Sequence, residues 1–193
     1  MLDKIVFASK NKGKIREVKQ LFSNINVEVL QVPEDFDVIE NGETFLDNAL
    51  IKAKKAVGLT RQVSLADDSG LMVDALNGEP GVHSSRYADT DIARISKLLK
   101  ALEGIPCDKR TARFVCSLVL VSTKGEVLHS TSGVCEGTII FEPRGSDGFG
   151  FDPVFLVPEL NLTMAQIPLE QKNTLSHRAR AFNQMLKWIS VNN

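Results

Sequence analysis

The sequence predicts an α/β fold in which helices flank a mixed β-sheet. Strand and helix patterns alternate over the first half of the chain, whereas several strand patterns follow one another in the second half. An open sheet of this kind binds ligands beyond the carboxyl ends of its strands, where loops and helix N-termini converge. The segments that follow the predicted strands are therefore the first candidates for a functional site.

The first half of the chain alternates strands with helices. Residues 4–8 form the apolar run of a buried strand, and residues 27–32 alternate as a second strand. Between them, apolar residues recur at helical spacing at Ile15, Val18, Leu21 and Phe22. Thr44 is a candidate N-cap for a longer helix that ends at Gly58. Residues 63–66 are a short apolar run that predicts a third strand.

The second half begins with a helix and continues as a meander of strands. An apolar stripe predicts a helix over residues 92–102, and Gly104 stops it. Residues 114–121 and 126–130 predict two strands joined by a turn, and residues 133–141 predict another. A last apolar stripe, residues 175–189, predicts a closing helix. No repeat or linker interrupts the chain, so we expect one domain over residues 1–193.

Composition and charge exclude several classes of protein. Of the 193 residues, 43% are hydrophobic and 24% charged, which is typical of a globular protein. The net charge of -1 argues against a surface that binds a nucleic acid polymer. Three widely spaced cysteines indicate reduced thiols rather than a disulfide framework or a zinc site. No stretch approaches 18 apolar residues, so the sequence predicts a cytoplasmic protein without a membrane segment.

A basic segment follows the first predicted strand. It consists of Ser9, Lys10, Asn11, Lys12, Gly13 and Lys14. Backbone N–H groups at the start of the next helix, together with Lys14, favour an anion here. The segment is not a P-loop, because Ala8 and Ile15 stand where that motif needs a glycine and a hydroxyl. Taken alone, it is equally typical of a solvated lysine cluster at a helix start.

Carboxylates lie at the ends of two predicted elements. Asp67 and Asp68 follow the third apolar run, and Glu40 and Glu43 precede the helix that Thr44 caps. Mg²⁺ usually takes one or two protein carboxylates, with phosphate and water completing its coordination. Asp-Asp-Ser-Gly alone is more typical of a turn. Together with the basic segment, however, the carboxylates predict a combined metal and phosphate site.

Residues 145–153 contain too much glycine for an ordinary strand. Phe149 and Phe151 could offer a face to a flat ring there, with Asp152 at the edge of that ring. The alternative is a bulged strand in which at least one of the two phenylalanines enters the core.

A further polar group lies near the predicted closing helix. It consists of Lys172, Ser176, His177 and Arg178. Such a group usually belongs to a solvated helix end, but arginine also binds a carbonyl oxygen strongly because it donates several hydrogen bonds and stays charged.

These segments together resemble the inosine/xanthosine triphosphate pyrophosphatase family, over about residues 4–187. The resemblance rests on blocks that occur in order: Ser9-x-Asn11-x-x-Lys14, Glu40-Asn-Gly-x-Thr44-Phe45 with Asn48-Ala49, Ala66-Asp67-Asp68-Ser69-Gly70-Leu71, Pro80-Gly81 through Arg86-Tyr87, Gly148 through Pro153, and Lys172-x-x-x-Ser176-His177-Arg178. Each block alone is weak evidence, but the ordered set is highly specific. The one departure is Ser85, where the family often has alanine.

The resemblance implies an enzyme that removes deaminated purines from the nucleotide pool. Such enzymes hydrolyse ITP, dITP and XTP to the monophosphate and pyrophosphate, and they need Mg²⁺. The family fold is a two-lobed mixed β-sheet flanked by helices, with the active site in the cleft between the lobes. Its members are commonly homodimers.

The resemblance also assigns roles to individual residues. Residues 9–14 and Lys52 would bind the triphosphate, Ser69 would also bind the substrate, and Glu40 and Asp68 would hold the metal. Asp68 would in addition activate the attacking water, supported by Asp67. The residues expected to bind the base are Phe149, Gly150, Phe151, Asp152, Lys172, His177 and Arg178.

Two other functions remain open at this point. One is a nucleotide-binding regulator without catalysis, although the presence of all the expected carboxylates speaks against it. The other is a pyrophosphatase that acts on other modified nucleotides, which a substrate panel would distinguish.

Overall fold

The computed structural model describes residues 2–23 and 25–192 and divides the chain into two compact units. Unit 1 comprises Met1–Asp68, Cys116–Gly133 and Arg178–Asn193. Unit 2 comprises Ser69–Val115 and Val134–His177. Within the described ranges, no helix has the length and apolar character that crossing a membrane requires. A single domain over the whole chain stays a prediction.

As far as Val121, strands and helices follow the order that the sequence predicts, whereas two short strands, Phe155–Val157 and Leu162–Thr163, were not predicted. The strands are β1 (Lys4–Phe7), β2 (Glu28–Gln31), β3 (Ser64–Val73), β4 (Thr111–Val121), β5 (Val127–Ile139), β6 (Phe155–Val157) and β7 (Leu162–Thr163). The helices are α1 (Lys12–Leu21), α2 (Phe45–Thr60), α3 (Asp91–Ala101), α4 (Leu169–Leu175) and α5 (His177–Asn192). The strands form one sheet in the order β2-β1-β3-β4-β5-β6-β7. Because β1 pairs parallel with β2 and β3 while β6 pairs antiparallel with β5 and β7, the predicted mixed sheet is confirmed.

Several predicted boundaries are wrong. The helix that Thr44 caps does not end at Gly58 but continues to Thr60. The third strand does not end at Ala66, because β3 continues through the acidic pair to Val73 and buries residues on both faces. The strands predicted over 126–130 and 133–141 are one strand, β5, in which alternate residues stay buried across Gly133. The closing helix begins earlier and breaks at Ser176, whose extended backbone separates α4 from α5.

Apolar residues pack on both faces of the sheet in unit 1. Ile5 and Phe7 of β1 point toward α1 and α5, where they meet Val18 and Phe182. Since successive strand residues point to opposite faces, Val6 points the other way, into the cluster that contains the buried face of α2. Thr44 caps α2 as predicted, with a reciprocal hydrogen-bonded capping box to Asp47.

Unit 2 has a separate core, which forms around α3. Leu98 of α3 belongs to the same buried cluster as Phe114 of β4 and Phe155 of β6, and the latter two rings are 4.4 Å apart. Phe151 also lies in this cluster and is only 4% exposed. The expectation that one phenylalanine of residues 145–153 enters the core is therefore confirmed, while Phe149 is half-buried.

Candidate active site

The basic segment lies where the sequence predicts it, between β1 and the N-terminus of α1. Asn11 is the N-cap of α1, and its Oδ1 accepts the backbone N–H of Lys14 at 3.1 Å. Ser9 Oγ in turn accepts the N–H of Asn11 at 3.2 Å. Lys10 and Lys12 point into solvent, whereas the side chain of Lys14 is only 13% exposed. The segment therefore combines a helix N-terminus with two exposed lysines and one partly buried lysine, an arrangement that favours an anion.

Asp67 is a fully buried carboxylate surrounded by donors. Lys14 Nζ lies 3.0 Å from its Oδ1, and Arg178 Nε lies 3.1 Å from its Oδ2. The Cys116 thiol contacts Oδ2 at 3.9 Å. Burial alone would raise the pKa of Asp67, but Lys14 and Arg178 outweigh that effect and hold the pKa well below its ordinary value. Asp67 is therefore a permanent anion that positions the Lys14 ammonium group.

Asp68 faces a different set of partners because side chains alternate along β3. Lys52 Nζ of α2 lies 2.6 Å from Asp68 Oδ1 and 2.8 Å from Glu40 Oε1. Asn48, also on α2, donates to Asp68 Oδ2 at 3.4 Å. Burial raises the pKa of Asp68 above its ordinary value, and Lys52 offsets only part of that effect.

The two adjacent aspartates thus have pKa values that are shifted in opposite directions. For Lys52, burial lowers the pKa, but the neighbouring carboxylates, Asp68 first among them, outweigh it and raise the pKa. Lys52 therefore stays charged. Carboxylates whose surroundings separate their pKa values are typical of sites in which one is a fixed charge and the other handles a proton.

Glu40 and Asp68 also fit a divalent cation. Their carboxylates converge on a single ammonium group, so the same position can attract another cation. Within the described residues, no group of three or more His, Cys, Asp or Glu side chains forms a metal cage. Mg²⁺ that binds next to phosphate is, however, usually held by one or two protein carboxylates together with oxygens of the substrate.

Residues 145–153 form a tight loop in unit 2, which we call the glycine loop. Asp152 Oδ2 accepts the N–H of Phe149 at 3.0 Å and the ammonium group of Lys172 at 2.7 Å. The same ammonium group lies 5.3 Å from the centre of the Phe149 ring. Asp152 and Lys172 are both buried, so a buried ion pair packs against the half-buried ring of Phe149.

Gly148 permits this arrangement and offers a test of it. Its φ is +82°, and a Cβ atom there would lie 2.1 Å from Asp152 Oδ2. Gly148→Ala should lower the free energy of unfolding by about 1–3 kcal/mol, because the backbone is strained and the carboxylate must move. Denaturant titration measures this change.

The matched control for that substitution is Gly58→Ala. Gly58 lies in α2, and a Cβ atom there meets nothing within 4 Å. We expect this variant to gain about 0.4–1 kcal/mol. Equal stabilities for the two variants would contradict the close approach of Gly148 to Asp152.

The remaining predicted base-binding residues fall in different units. His177 belongs to unit 2, where its ring stacks on Phe114 with centres 4.8 Å apart. Arg178 belongs to unit 1, is 1% exposed, and donates to Glu17 through Nη1 and to Asp67 through Nε. Base reading by Arg178 stays a prediction, and the structure adds two carboxylate partners for its guanidinium group.

Glu17 is a site residue that the sequence analysis missed. It is 4% exposed on α1 and pairs with Arg178, 161 positions away in the chain. The available signal was its position, since it lies next to Val18 on the apolar face of the helix. A charged residue on such a face is rarely buried without a partner of opposite charge.

Comparison with known proteins assigns the chain to a class. The family model for the Ham1 family matches residues 5–188, and the chain belongs to that family. Among solved structures, a HAM1 protein from Coxiella burnetii is 42% identical with a TM-score of 0.87, covering 98% of this chain and 99% of that one. The Ham1 protein from Staphylococcus aureus gives the same TM-score at 41% identity, covering 98% of this chain and all of the other.

Two similar relatives share a more specific name. The dITP/XTP pyrophosphatase of Listeria monocytogenes is 47% identical over 192 residues, which are 96% of this chain and 94% of the relative. The dITP/XTP pyrophosphatase of Geobacillus kaustophilus is 47% identical over 190 residues, or 95% and 93% of the two chains.

Proposed function

We propose that this protein is a nucleoside triphosphate pyrophosphatase that hydrolyses the noncanonical nucleotides ITP, dITP and XTP to the monophosphate and pyrophosphate. Its role is to remove deaminated purines from the nucleotide pool. The observation that carries the proposal is the arrangement in unit 1, where the lysine-rich start of α1 accompanies two carboxylates that share the Lys52 ammonium group. The relatives named dITP/XTP pyrophosphatase support the choice of substrate.

Positively charged groups are needed for a nucleophile to attack the triphosphate. A nucleophile that approaches a triphosphate is repelled unless positive groups neutralise the phosphate oxygens. Residues 9–14 bind the triphosphate in this proposal, with Lys14 held in place by Asp67 and Lys52 available from α2. Mg²⁺ bound by Glu40 and Asp68 would add positive charge next to the phosphates.

Asp68 is the group that we assign to the attacking water. Its carboxylate can accept a proton from a water molecule bound beside Lys52 and Glu40, and a positioned base contributes about 10²–10⁴-fold to a rate. Asp67 cannot serve in this way, because its pKa is held low by Lys14 and Arg178. Attack at the α phosphorus releases pyrophosphate as the leaving group.

Base recognition belongs to the glycine loop and the residues near α4 and α5. We assign stacking to Phe149, since Phe151 is buried in the core of unit 2. Hypoxanthine and xanthine carry an oxygen at position 6 that accepts hydrogen bonds from Lys172, His177 or Arg178. Adenine carries an amino group there, which is also a donor. Two donors that face each other both lack an acceptor, and this weakens binding by about 1–3 kcal/mol.

Assembly and location are also proposed from the family resemblance. We expect a homodimer that acts in the cytoplasm, with a purine nucleoside triphosphate as its substrate and with neither a nucleic acid polymer nor a membrane as a partner. Sedimentation analysis of the purified protein tests the dimer.

The bond that is cleaved provides the direct test of the function. With ITP and Mg²⁺, the protein should release IMP and pyrophosphate in equal amounts, measured separately from orthophosphate. Assays with XTP, dITP, GTP, ATP and dUTP under the same conditions establish the base preference. If the main products were IDP and orthophosphate, the proposed reaction would be wrong.

A further inference from the structure

We propose that Asp91, in the first turn of α3, is a positioning residue that fixes the glycine loop in the conformation that presents Phe149. Asp91 Oδ2 accepts the backbone N–H of Gly150 at 2.8 Å, although the two residues are 59 positions apart. The proposal rests on the function proposed above, and it adds a residue outside every block that carries the family resemblance.

Two successive N–H groups of the glycine loop end on carboxylates. The N–H of Phe149 donates to Asp152, and the N–H of Gly150 donates to Asp91. The second bond fixes the peptide plane between Phe149 and Gly150, and that plane sets the direction in which the Phe149 side chain leaves the backbone. Gly150 has a φ of +63°, which glycine adopts without strain, so side-chain sterics restrain its backbone little and the bond to Asp91 supplies a restraint.

Asp91 is itself held in place. Its Oδ1 accepts from Arg94 Nη1 at 2.6 Å, which leaves Oδ2 for the glycine loop. Arg94 Nε also donates to the carbonyl oxygen of Ala88 at 2.9 Å, so two nitrogens of its guanidinium group are held by partners. Thr90 caps α3 just before Asp91 by accepting the N–H of Ala93 at 3.1 Å. The acceptor that faces Gly150 therefore belongs to a rigid helix end.

The exposure of Asp91 distinguishes positioning of the glycine loop from a role in the stability of the fold. Its side chain is 46% exposed, so it contributes little to the core of unit 2. A negatively charged residue in the first turn of a helix stabilises that helix by only about 0.3–1 kcal/mol. Removing the carboxylate should thus release the glycine loop while leaving the fold in place.

Asp74 offers a matched control in the same unit. Its side chain is 44% exposed, and it accepts from Thr111 Oγ1 at 2.7 Å and from Arg113 Nη2 at 2.9 Å. Asp74 therefore resembles Asp91 in exposure and in the number of its side-chain donors, but among the described residues its side-chain partners, Thr111 and Arg113, lie outside the glycine loop.

The experiment compares a ligand that has a base with one that lacks it. For wild type, Asp91→Ala, Asp91→Asn and Asp74→Ala, we would measure kcat and KM for ITP and the inhibition constants of IMP and pyrophosphate. Asp91→Ala should raise the KM for ITP and the inhibition constant of IMP about 10-fold, the loss expected for one hydrogen bond to a charged group. The inhibition constant of pyrophosphate and kcat should change less than about threefold, and Asp74→Ala should match wild type. Asp91→Asn keeps an acceptor and should recover most of the loss.

The outcomes distinguish this inference from the proposed function. A wild-type protein that does not release pyrophosphate from ITP would overturn the function. An active wild type whose Asp91→Ala variant binds IMP normally, or loses IMP and pyrophosphate equally, would overturn the role of Asp91. If Asp91→Ala does not fold, Asp91→Glu provides the test, because it keeps the charge but displaces the acceptor. That variant should also weaken IMP binding without affecting pyrophosphate, and normal IMP binding would overturn the role.

Discussion

Replacing Asp68 by asparagine is expected to lower the turnover of ITP by at least about 10²-fold, the low end of the contribution of a general base. Asparagine keeps the size of the side chain but cannot accept a proton, and it is a weaker ligand for a divalent cation. Lys52 keeps Glu40 as a partner, so the fold should persist. Steady-state kinetics at saturating ITP and Mg²⁺ measure the loss.

Glu40→Gln is the control that separates metal binding from proton transfer. Glu40 shares Lys52 with Asp68 but is assigned only to the metal. More Mg²⁺ should therefore restore much of the activity of Glu40→Gln and little of that of Asp68→Asn. If Asp68→Asn kept most of its turnover, the base would have to be reassigned to Glu40.

Features that depend on residues close together in the sequence could be predicted from local patterns. The cap at Thr44 and the basic segment before α1 follow from residues that are a few positions apart, and the structure contains both. The end of β3 could not be predicted in the same way. Asp-Asp-Ser-Gly is typical of a turn, but Asp67 and Asp68 continue the strand because buried cations from distant segments neutralise them.

Long-range pairs explain the remaining differences in the site. Arg178 follows His177 directly, and the family resemblance implies a common role in base binding. A helix start, however, directs neighbouring side chains differently, and Arg178 pairs with Glu17 and Asp67 in unit 1. No local pattern reveals a partner that is 111 or 161 positions away. The bond from Gly150 to Asp91 was missed for the same reason.

Arg178→Ala is expected to have the second large effect, and it acts on both stability and selectivity. The substitution leaves the carboxylates of Glu17 and Asp67 buried without their guanidinium partner. Breaking a buried ion pair from one side typically costs about 3–5 kcal/mol, so denaturant titration should show a loss of this order. Because Asp67 also positions Lys14, kcat/KM should fall for both ITP and ATP.

Base reading by Arg178 adds a further loss that applies to ITP alone. Losing a hydrogen bond from a charged group weakens transition-state binding by about 1.5–3 kcal/mol. The ratio of kcat/KM for ITP to kcat/KM for ATP should therefore fall by roughly 10- to 150-fold. Glu17→Gln is the control, because it weakens the same ion pair but keeps the guanidinium group. That variant should lose stability and retain the ratio. A ratio that stays at its wild-type value in Arg178→Ala would exclude base reading and leave Arg178 only its contacts with Asp67 and Glu17.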